Sequence, residues 1–163
     1  MIKKILLFLL AALIIIQLFH PKKNKMDGEQ AHYIGMNYTV PDNVKVILAK
    51  ACNDCHSNNT RYPWYSKLQP VDWWMNDHIK EGKKHLNLDE YTNGNLRSQY
   101  HKLEDIAEQV KKGEMPINSY TWIHKDAILT ETEKNTLINW ADNIRDSMKA
   151  KYPPDSLQRK KQP

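Results

Sequence analysis

The only two cysteines of the chain stand three positions apart and are followed directly by a histidine, in Cys52-Asn53-Asp54-Cys55-His56. This C-x-x-C-H pattern is typical of the covalent attachment of a c-type haem. Two thiols about one helical turn apart can each add to a vinyl group on one edge of a porphyrin, and His56 can then reach the iron. The segment therefore predicts one covalent haem c per chain, with its tether and proximal ligand close together.

Three other uses of such a cysteine pair compete with haem. A thiol redox couple normally lies at a strand-to-helix turn, and the chain shows no βαβ pattern. A zinc site needs four ligands, whereas Cys52, Cys55 and His56 supply three. A structural disulfide between the cysteines stays open, because exported proteins commonly contain disulfides. We favour haem because the motif follows an export signal, and c-type haem is attached on the outer side of the membrane.

The first 20 residues predict that export signal. Lys3 and Lys4 precede an apolar run from Ile5 to Phe19 that is interrupted only by Gln17. Since about 20 apolar residues cross a typical bilayer, a run of 15 suits a signal peptide or a minimal anchor. No Ala-x-Ala pattern follows it, so we expect residues 5–19 to be retained as a membrane anchor. The protein would then belong to a bacterial cytoplasmic membrane, with its domain facing the periplasm.

The formal net charge of +5 comes from the residues that flank the apolar run Ile5 to Phe19. All 19 acidic residues lie beyond residue 26, and 19 of the 24 basic residues lie there too. The other five flank the apolar run: Lys3, Lys4, Lys22, Lys23 and Lys25. The exported part is therefore neutral overall, and we expect no nucleic-acid partner.

The remaining chain has a length typical of one domain, and its composition favours helices over strands. We therefore predict an all-α fold, a small helical domain behind an N-terminal membrane anchor. The expected segments are an anchor at 1–21, a tether at 22–38, the domain at 39–149 and a polar, disordered tail at 150–163.

Apolar periodicity predicts four helices in the domain, at about 42–52, 72–82, 95–112 and 130–148. Asp72 is expected to cap the second helix. Gly113 is expected to end the third, and Thr130 with Glu133 forms a capping box for the fourth. Loops are predicted between these helices.

The second axial ligand of the iron must come from outside the motif. We favour Met115, which follows a helix that ends at a glycine and precedes Pro116, a residue that fixes the backbone. A loop methionine can also simply fill a gap in a core. His124 is the strongest rival, and the further candidates are Met75, His78, His85 and His101.

Five tryptophans are many for so short a domain. Such side chains can pack in an ordinary core, or they can form the flat apolar walls that a macrocycle needs. The ones in question are Trp64, Trp73, Trp74, Trp122 and Trp140.

Several segments occur together in a recognisable order: Ala51 to Asn58, Tyr62-Pro63-Trp64-Tyr65-Ser66, Glu81-Gly82, Gly113-Glu114-Met115-Pro116, and a final helix with Trp140. Over roughly residues 40 to 148 the chain thus resembles the bacterial haem-binding domain family related to cytochrome c. The resemblance implies a small cytochrome c-like fold, haem on Cys52 and Cys55, and iron ligated by His56 and Met115. The chain departs from ordinary small cytochromes c in a long insert between His56 and Met115.

These observations together predict a membrane-anchored carrier of single electrons that exchanges them with an unknown redox partner. A site closed by methionine argues against substrate chemistry at the iron, so we do not expect an enzyme. The alternative is a haem-based binding or sensing module whose sixth site is open or weakly held.

Overall fold

The computed structural model describes residues 1–158, and within them all regular structure is helical. The prediction of an all-α class is confirmed. Short 3-10 turns connect the main elements at Ile34–Met36, Trp64–Lys67, Tyr91–Asn93 and Lys125–Ala127. The α-helices of this part of the chain are α1 (Ile2–Ile16), α2 (Asp42–Ala51), α3 (Asn53–His56), α4 (Val71–His85), α5 (Leu96–Lys112), α6 (Asn118–Thr121), α7 (Glu131–Lys151) and α8 (Pro154–Leu157).

The core is built on the pair α5 and α7, which pack against each other, and α2 and α8 complete it. Apolar residues recur every three or four positions along both long helices, so each presents one continuous apolar stripe. The buried members of the two stripes are Tyr100, Leu103, Ala107 and Val110 on α5, and Leu137, Trp140, Ala141, Ile144 and Met148 on α7.

Local hydrogen bonding and backbone conformation set both ends of α5 and the start of α7. The Asn95 side chain accepts a hydrogen bond from the Ser98 backbone N–H at 2.9 Å, and α5 ends at Gly113, whose φ of 71° is left-handed. At the start of α7, Thr130 and Glu133 form the reciprocal bonds of a capping box. These predicted boundaries are confirmed, because the groups that define them lie within four residues of one another.

Helix α4 differs from its prediction at both ends. It continues through Gly82 to His85, and Asp72 makes no capping bond. Instead Asp72 is buried, with its carboxylate 2.8 Å from His20 Nδ1 and 2.7 Å from Lys23 Nζ. The cap prediction is wrong because this carboxylate binds the side chains of His20 and Lys23 from the N-terminal region.

The segment 22–38 was predicted to be a tether, but it packs against the domain. Ile34 is fully buried in the core, and its backbone N–H donates to the Leu88 carbonyl at 2.8 Å. The Asn24 side chain donates to Ser57 O at 2.8 Å and to Thr60 Oγ1 at 2.9 Å. A boundary at residue 39 is therefore wrong, because residues before it supply core and hydrogen-bonding groups.

The predicted polar tail is partly structured. Helix α7 continues to Lys151, and α8 places Leu157 in the core. The Arg97 guanidinium donates to the Asp155 carbonyl at 3.0 Å. The prediction of disorder is therefore wrong for 150–158, since an apolar side chain there is buried. Residues 159–163 lie outside the described part of the chain.

The apolar N-terminal run forms α1, none of whose side chains is buried. Among residues 1–158, no helix is both long and apolar enough to span a bilayer. After α1 ends, the Gln17 side chain accepts a hydrogen bond from the Gln69 backbone N–H at 2.9 Å. The chain thus contacts the domain immediately after its first helix.

Substitution of Ile34 tests whether the segment before residue 39 belongs to the folding unit. Ile34→Ala removes a fully buried side chain, and we expect it to lower the free energy of unfolding by about 2–5 kcal/mol. Met36→Ala, at a position 65% exposed, is the matched control and should change it by less than about 0.5 kcal/mol. Urea denaturation monitored by circular dichroism measures both, and equal losses would contradict the packing of this segment.

Candidate functional site

A cavity of about 530 Å³ lies among α2, α3, α4, α5 and the segment that follows α5. Its volume falls within the range of about 300–1,000 Å³ that is usual for sites of small molecules and cofactors. The exposed surface of its wall is mostly apolar, and its aliphatic lining residues are Leu48, Ala51, Leu86, Leu88, Ile106, Val110 and Ile117. Polar residues, among them Lys102, Asp105 and Gln109, also border it.

The C-x-x-C-H segment forms one side of this cavity. Helix α2 ends at Ala51, and the short helix α3 follows at once, so Cys52 lies at the junction. The backbone N–H groups of Cys55 and His56 both donate to the Cys52 carbonyl, at 3.1 and 2.9 Å. This single turn brings both thiols and the imidazole to the same cavity wall.

His56 is oriented by α4. Its Nδ1 lies 2.9 Å from the Gly82 carbonyl oxygen and 3.0 Å from that of Leu86. Both partners are acceptors, so Nδ1 carries the hydrogen and the lone pair is on Nε2. Burial lowers the pKa of His56 below its usual value, which favours the neutral ring. A neutral histidine whose other nitrogen donates to a carbonyl is the arrangement that metal-ligating histidines usually have.

The two thiols are poor nucleophiles for disulfide exchange. Burial, followed by the neighbouring Cys55, raises the pKa of Cys52 to about 12. Burial and then the Asp54 carboxylate raise the pKa of Cys55 to about 11. Disulfide exchange needs the thiolate, which is scarce at neutral pH at such values. The site therefore does not favour a thiol redox couple.

Gly82 lets α4 approach α3 closely. A Cβ atom at this position would lie 2.8 Å from the Cys55 carbonyl oxygen and 3.1 Å from the Cys55 Cβ. The first distance is too short for a real contact, so any larger side chain would push the two helices apart. The sequence suggested Gly82 as a helix end, whereas in the structure it is the contact point behind the motif.

Met115 lines the same cavity as the motif. The left-handed Gly113 turns the chain after α5, and the backbone N–H groups of Glu114 and Met115 both donate to the Gln109 carbonyl, at 3.0 and 3.3 Å. Met115 itself is 36% exposed. The structure thus brings together all four predicted site residues, Cys52, Cys55, His56 and Met115.

A hydrogen bond that sequence reasoning missed connects the segment after Met115 to the motif. The Tyr120 hydroxyl donates to the Asp54 carboxylate at 2.7 Å, and Arg61 also binds this carboxylate. Burial and the nearby Asp54 raise the pKa of Tyr120 above its usual value, so its phenol stays protonated and can donate. The only signal in the sequence was an acidic residue between the two cysteines.

The rival ligand His124 does not line the cavity. Its Nε2 lies 2.6 Å from the Tyr65 hydroxyl, and its ring stacks on Tyr120 at a centroid distance of 4.3 Å. His101 and Met75 are also absent from the cavity wall, and His101 Nδ1 lies 3.1 Å from a Glu104 carboxylate oxygen.

Two of the further candidates, His78 and His85, do line the cavity. His78 Nδ1 is 2.9 Å from the Trp74 carbonyl oxygen, and His85 Nε2 is 3.9 Å from a Glu81 carboxylate oxygen. They lie on α4, seven residues apart, which places them on one face of that helix. They therefore replace His124 as the histidines nearest to the site.

The tryptophans do not form the cavity wall. Trp140 is buried, and its Nε1–H donates to the Thr39 carbonyl at 3.0 Å. The other four, Trp64, Trp73, Trp74 and Trp122, are exposed. None of the tryptophans lines the cavity and Trp140 alone packs in the core, so neither use that the sequence left open accounts for the other four.

These features define a small all-helical protein with a cofactor-sized apolar cavity, bordered by a cysteine pair and a neutral histidine. A family model described as "Haem-binding domain" matches residues 11–143, and the chain belongs to that family. No curated protein and no solved structure matches the chain. The resemblance to a haem-binding family is confirmed, and the chain is a haem-binding protein. The match includes the segment 22–38, in agreement with its packing against the domain.

Substitution of Gly82 tests the close contact behind the motif. In an exposed helix, a change from glycine to alanine stabilises by about 1 kcal/mol. Here we expect Gly82→Ala to lower the free energy of unfolding by about 1–3 kcal/mol, because the new Cβ meets the Cys55 backbone. Lys80→Ala, an exposed change on the same helix, is the control. Chemical denaturation measures both, and a stabilised Gly82→Ala protein would contradict the contact.

Proposed function

We propose that this protein is a membrane-anchored c-type haem protein that carries single electrons. One haem per chain would be attached through Cys52 and Cys55, with His56 as proximal and Met115 as distal ligand. The observation that carries the proposal is that all four side chains line one apolar cavity of cofactor size. When bound, the haem supplies an iron that gains and loses one electron.

The residues present fit such a group. In attachment, the thiols of Cys52 and Cys55 would each add S–H across one vinyl C=C bond, which would form a thioether, place the hydrogen on the neighbouring carbon and consume no oxidant. The thiol and imidazole come from one turn of chain, which fixes the tether next to the ligand. The two carbonyls that accept the hydrogen bond of His56 Nδ1 hold the ring in place. They also make Nε2 more basic, and so a stronger ligand for a metal.

Met115 is the best-supported distal ligand among the candidates. It borders the cavity, and its backbone is held by Gly113 and by the Gln109 carbonyl. The bond between Tyr120 and Asp54 holds the following segment close to the motif. A methionine ligand raises the potential of haem iron relative to a second histidine, and it closes the sixth position. Both effects suit an electron carrier rather than an enzyme.

The apolar helix α1 supports the membrane part of the proposal. Its 15 residues are roughly 22 Å long at 1.5 Å per residue, shorter than a hydrocarbon layer of about 30 Å, so it would be only a minimal anchor. None of its side chains is buried in the domain. We propose that it anchors the protein in a bacterial cytoplasmic membrane, with the haem-binding domain on the periplasmic side. A separate redox protein would exchange electrons with it there.

One observation favours a second function, a haem-based binding or sensing module. Met115 remains 36% exposed, and His78 and His85 also border the cavity. A weakly held methionine could leave the iron and admit a small gas molecule. This alternative differs from the electron carrier in the state of the sixth position.

Covalent attachment is tested with the full chain, expressed with its own leader in a host that matures c-type haem. After a denaturing gel, we expect the native band to stain for haem peroxidase activity, because thioether bonds survive denaturation. The Cys52→Ala, Cys55→Ala variant should lose the stain, whereas His124→Ala should keep it. An unstained band from well-folded native protein would refute covalent haem.

The distal ligand is tested by absorption spectra and redox titration of the loaded protein. Met115→Ala should change the resting spectrum and lower the potential, because it removes a thioether that favours reduced iron. His124→Ala should change neither, since His124 lies outside the cavity. If Met115→Ala leaves the spectrum unchanged while His78→Ala or His85→Ala alters it, the ligand is histidine. If none of these variants alters it, the sixth site is open and the sensing function is favoured.

A further inference from the structure

We propose that an exposed apolar surface next to the end of α1 docks onto the lipid bilayer, so that the haem-binding domain lies directly on the membrane. We call it the aromatic surface, and it consists of Leu18, Phe19, Leu68, Val71, Trp73 and Trp74. This inference rests on the proposed membrane anchoring by α1. It goes beyond that proposal because it gives the domain a fixed orientation on the membrane.

Every side chain of the aromatic surface is at least 36% exposed. Large contiguous patches of exposed apolar side chains often mark protein or membrane interaction sites. Two members are tryptophans, 38% and 47% exposed, and tryptophan is the residue enriched where membranes meet water. The indole N–H of Trp73 donates to the Phe19 carbonyl at 2.9 Å, which joins the α4 part of the surface to the leader part.

Hydrogen bonds connect the residues that directly follow α1 to this surface. The Gln17 side chain exchanges two hydrogen bonds with the Gln69 backbone, at 2.9 and 3.2 Å. The Gln69 side chain in turn donates to the Phe19 carbonyl at 2.7 Å. Because Gln69 lies between Leu68 and the start of α4, the aromatic surface is held at the very end of α1. A helix in the bilayer would therefore carry the surface to the lipid headgroups.

The charges around the surface fit anionic lipid. In residues 17–26 and 64–75 the only acidic residue is Asp72, which is buried against His20 and Lys23. The remaining lysines of these stretches, Lys22, Lys25 and Lys67, are exposed. Basic residues beside an apolar anchor are attracted to acidic headgroups. Both the apolar and the charged groups thus favour a lipid surface as the occupant.

Docking would place the cofactor cavity close to the membrane. The Trp74 ring packs against His78 at a centroid distance of 4.1 Å, and His78 lines the cavity. A domain held in this way would suit a redox partner that itself lies in the bilayer. The proposed docking would therefore place the redox partner of the carrier in the membrane itself.

The test uses the full, haem-loaded chain reconstituted in vesicles of phosphatidylcholine and phosphatidylglycerol. A photoreactive residue is introduced as Trp74→p-benzoylphenylalanine, and separately as Leu68→p-benzoylphenylalanine in case the first variant folds poorly. Val46→p-benzoylphenylalanine is the matched control, because Val46 is 64% exposed on α2 and lies outside the aromatic surface. After illumination, mass spectrometry measures the lipid adducts at each position, and sedimentation measures vesicle binding.

We expect several-fold more lipid adduct at positions 74 and 68 than at 46. Equal adducts at all positions, no adducts, or adducts only to other protein copies, in a chain that sediments with the vesicles, would overturn docking and leave anchoring intact. Failure to sediment with the vesicles would overturn both docking and anchoring. The haem stain reads out haem attachment separately, so the failures can be told apart.

Discussion

The contact between α3 and α4 at Gly82 is the constraint on which the site depends. Because this residue has no side chain, α4 lies directly behind the motif, and the Gly82 and Leu86 carbonyls accept the Nδ1–H of His56. One short contact therefore positions the imidazole, sets its tautomer and defines one wall of the cavity. The core pair α5 and α7 supplies the opposing support, since α5 contributes Ile106 and Val110 to the cavity and also packs on α7.

The segment after α5 brings the second half of the site to the motif. Its path is set first by the left-handed Gly113 and then by the bond between Tyr120 and Asp54. That bond joins residues 66 positions apart, so the loop carrying Met115 is fixed by a contact with the motif itself. Asp54 is compensated by Arg61, which explains how a carboxylate is tolerated in a buried position between the two cysteines. The site is thus assembled around the motif rather than on a separate scaffold.

The N-terminal region packs against the domain and is part of this assembly, not a flexible linker. Ile34 contributes to the core, and the Asn24 side chain reaches the loop that follows the motif. The buried Asp72 binds Lys23 and His20, so an apolar helix and the haem-binding domain are connected without free chain between them. These contacts hold the residues that follow α1 against the domain.

The sequence by itself determined the features that depend on neighbouring residues. The helical class, the Gly113 helix end and the Thr130 capping box all follow from groups within a few positions of one another, and the structure agrees with each. Only the tertiary structure decided what depends on distant partners. It paired Asp72 with His20 and Lys23, turned His124 toward Tyr65 rather than the cavity, and left four of the five tryptophans exposed. The residue type sets the chemistry of a side chain, and the local sequence pattern predicts its face of a helix. Whether that face contacts solvent, the core or a cofactor is decided by residues that are distant in the sequence.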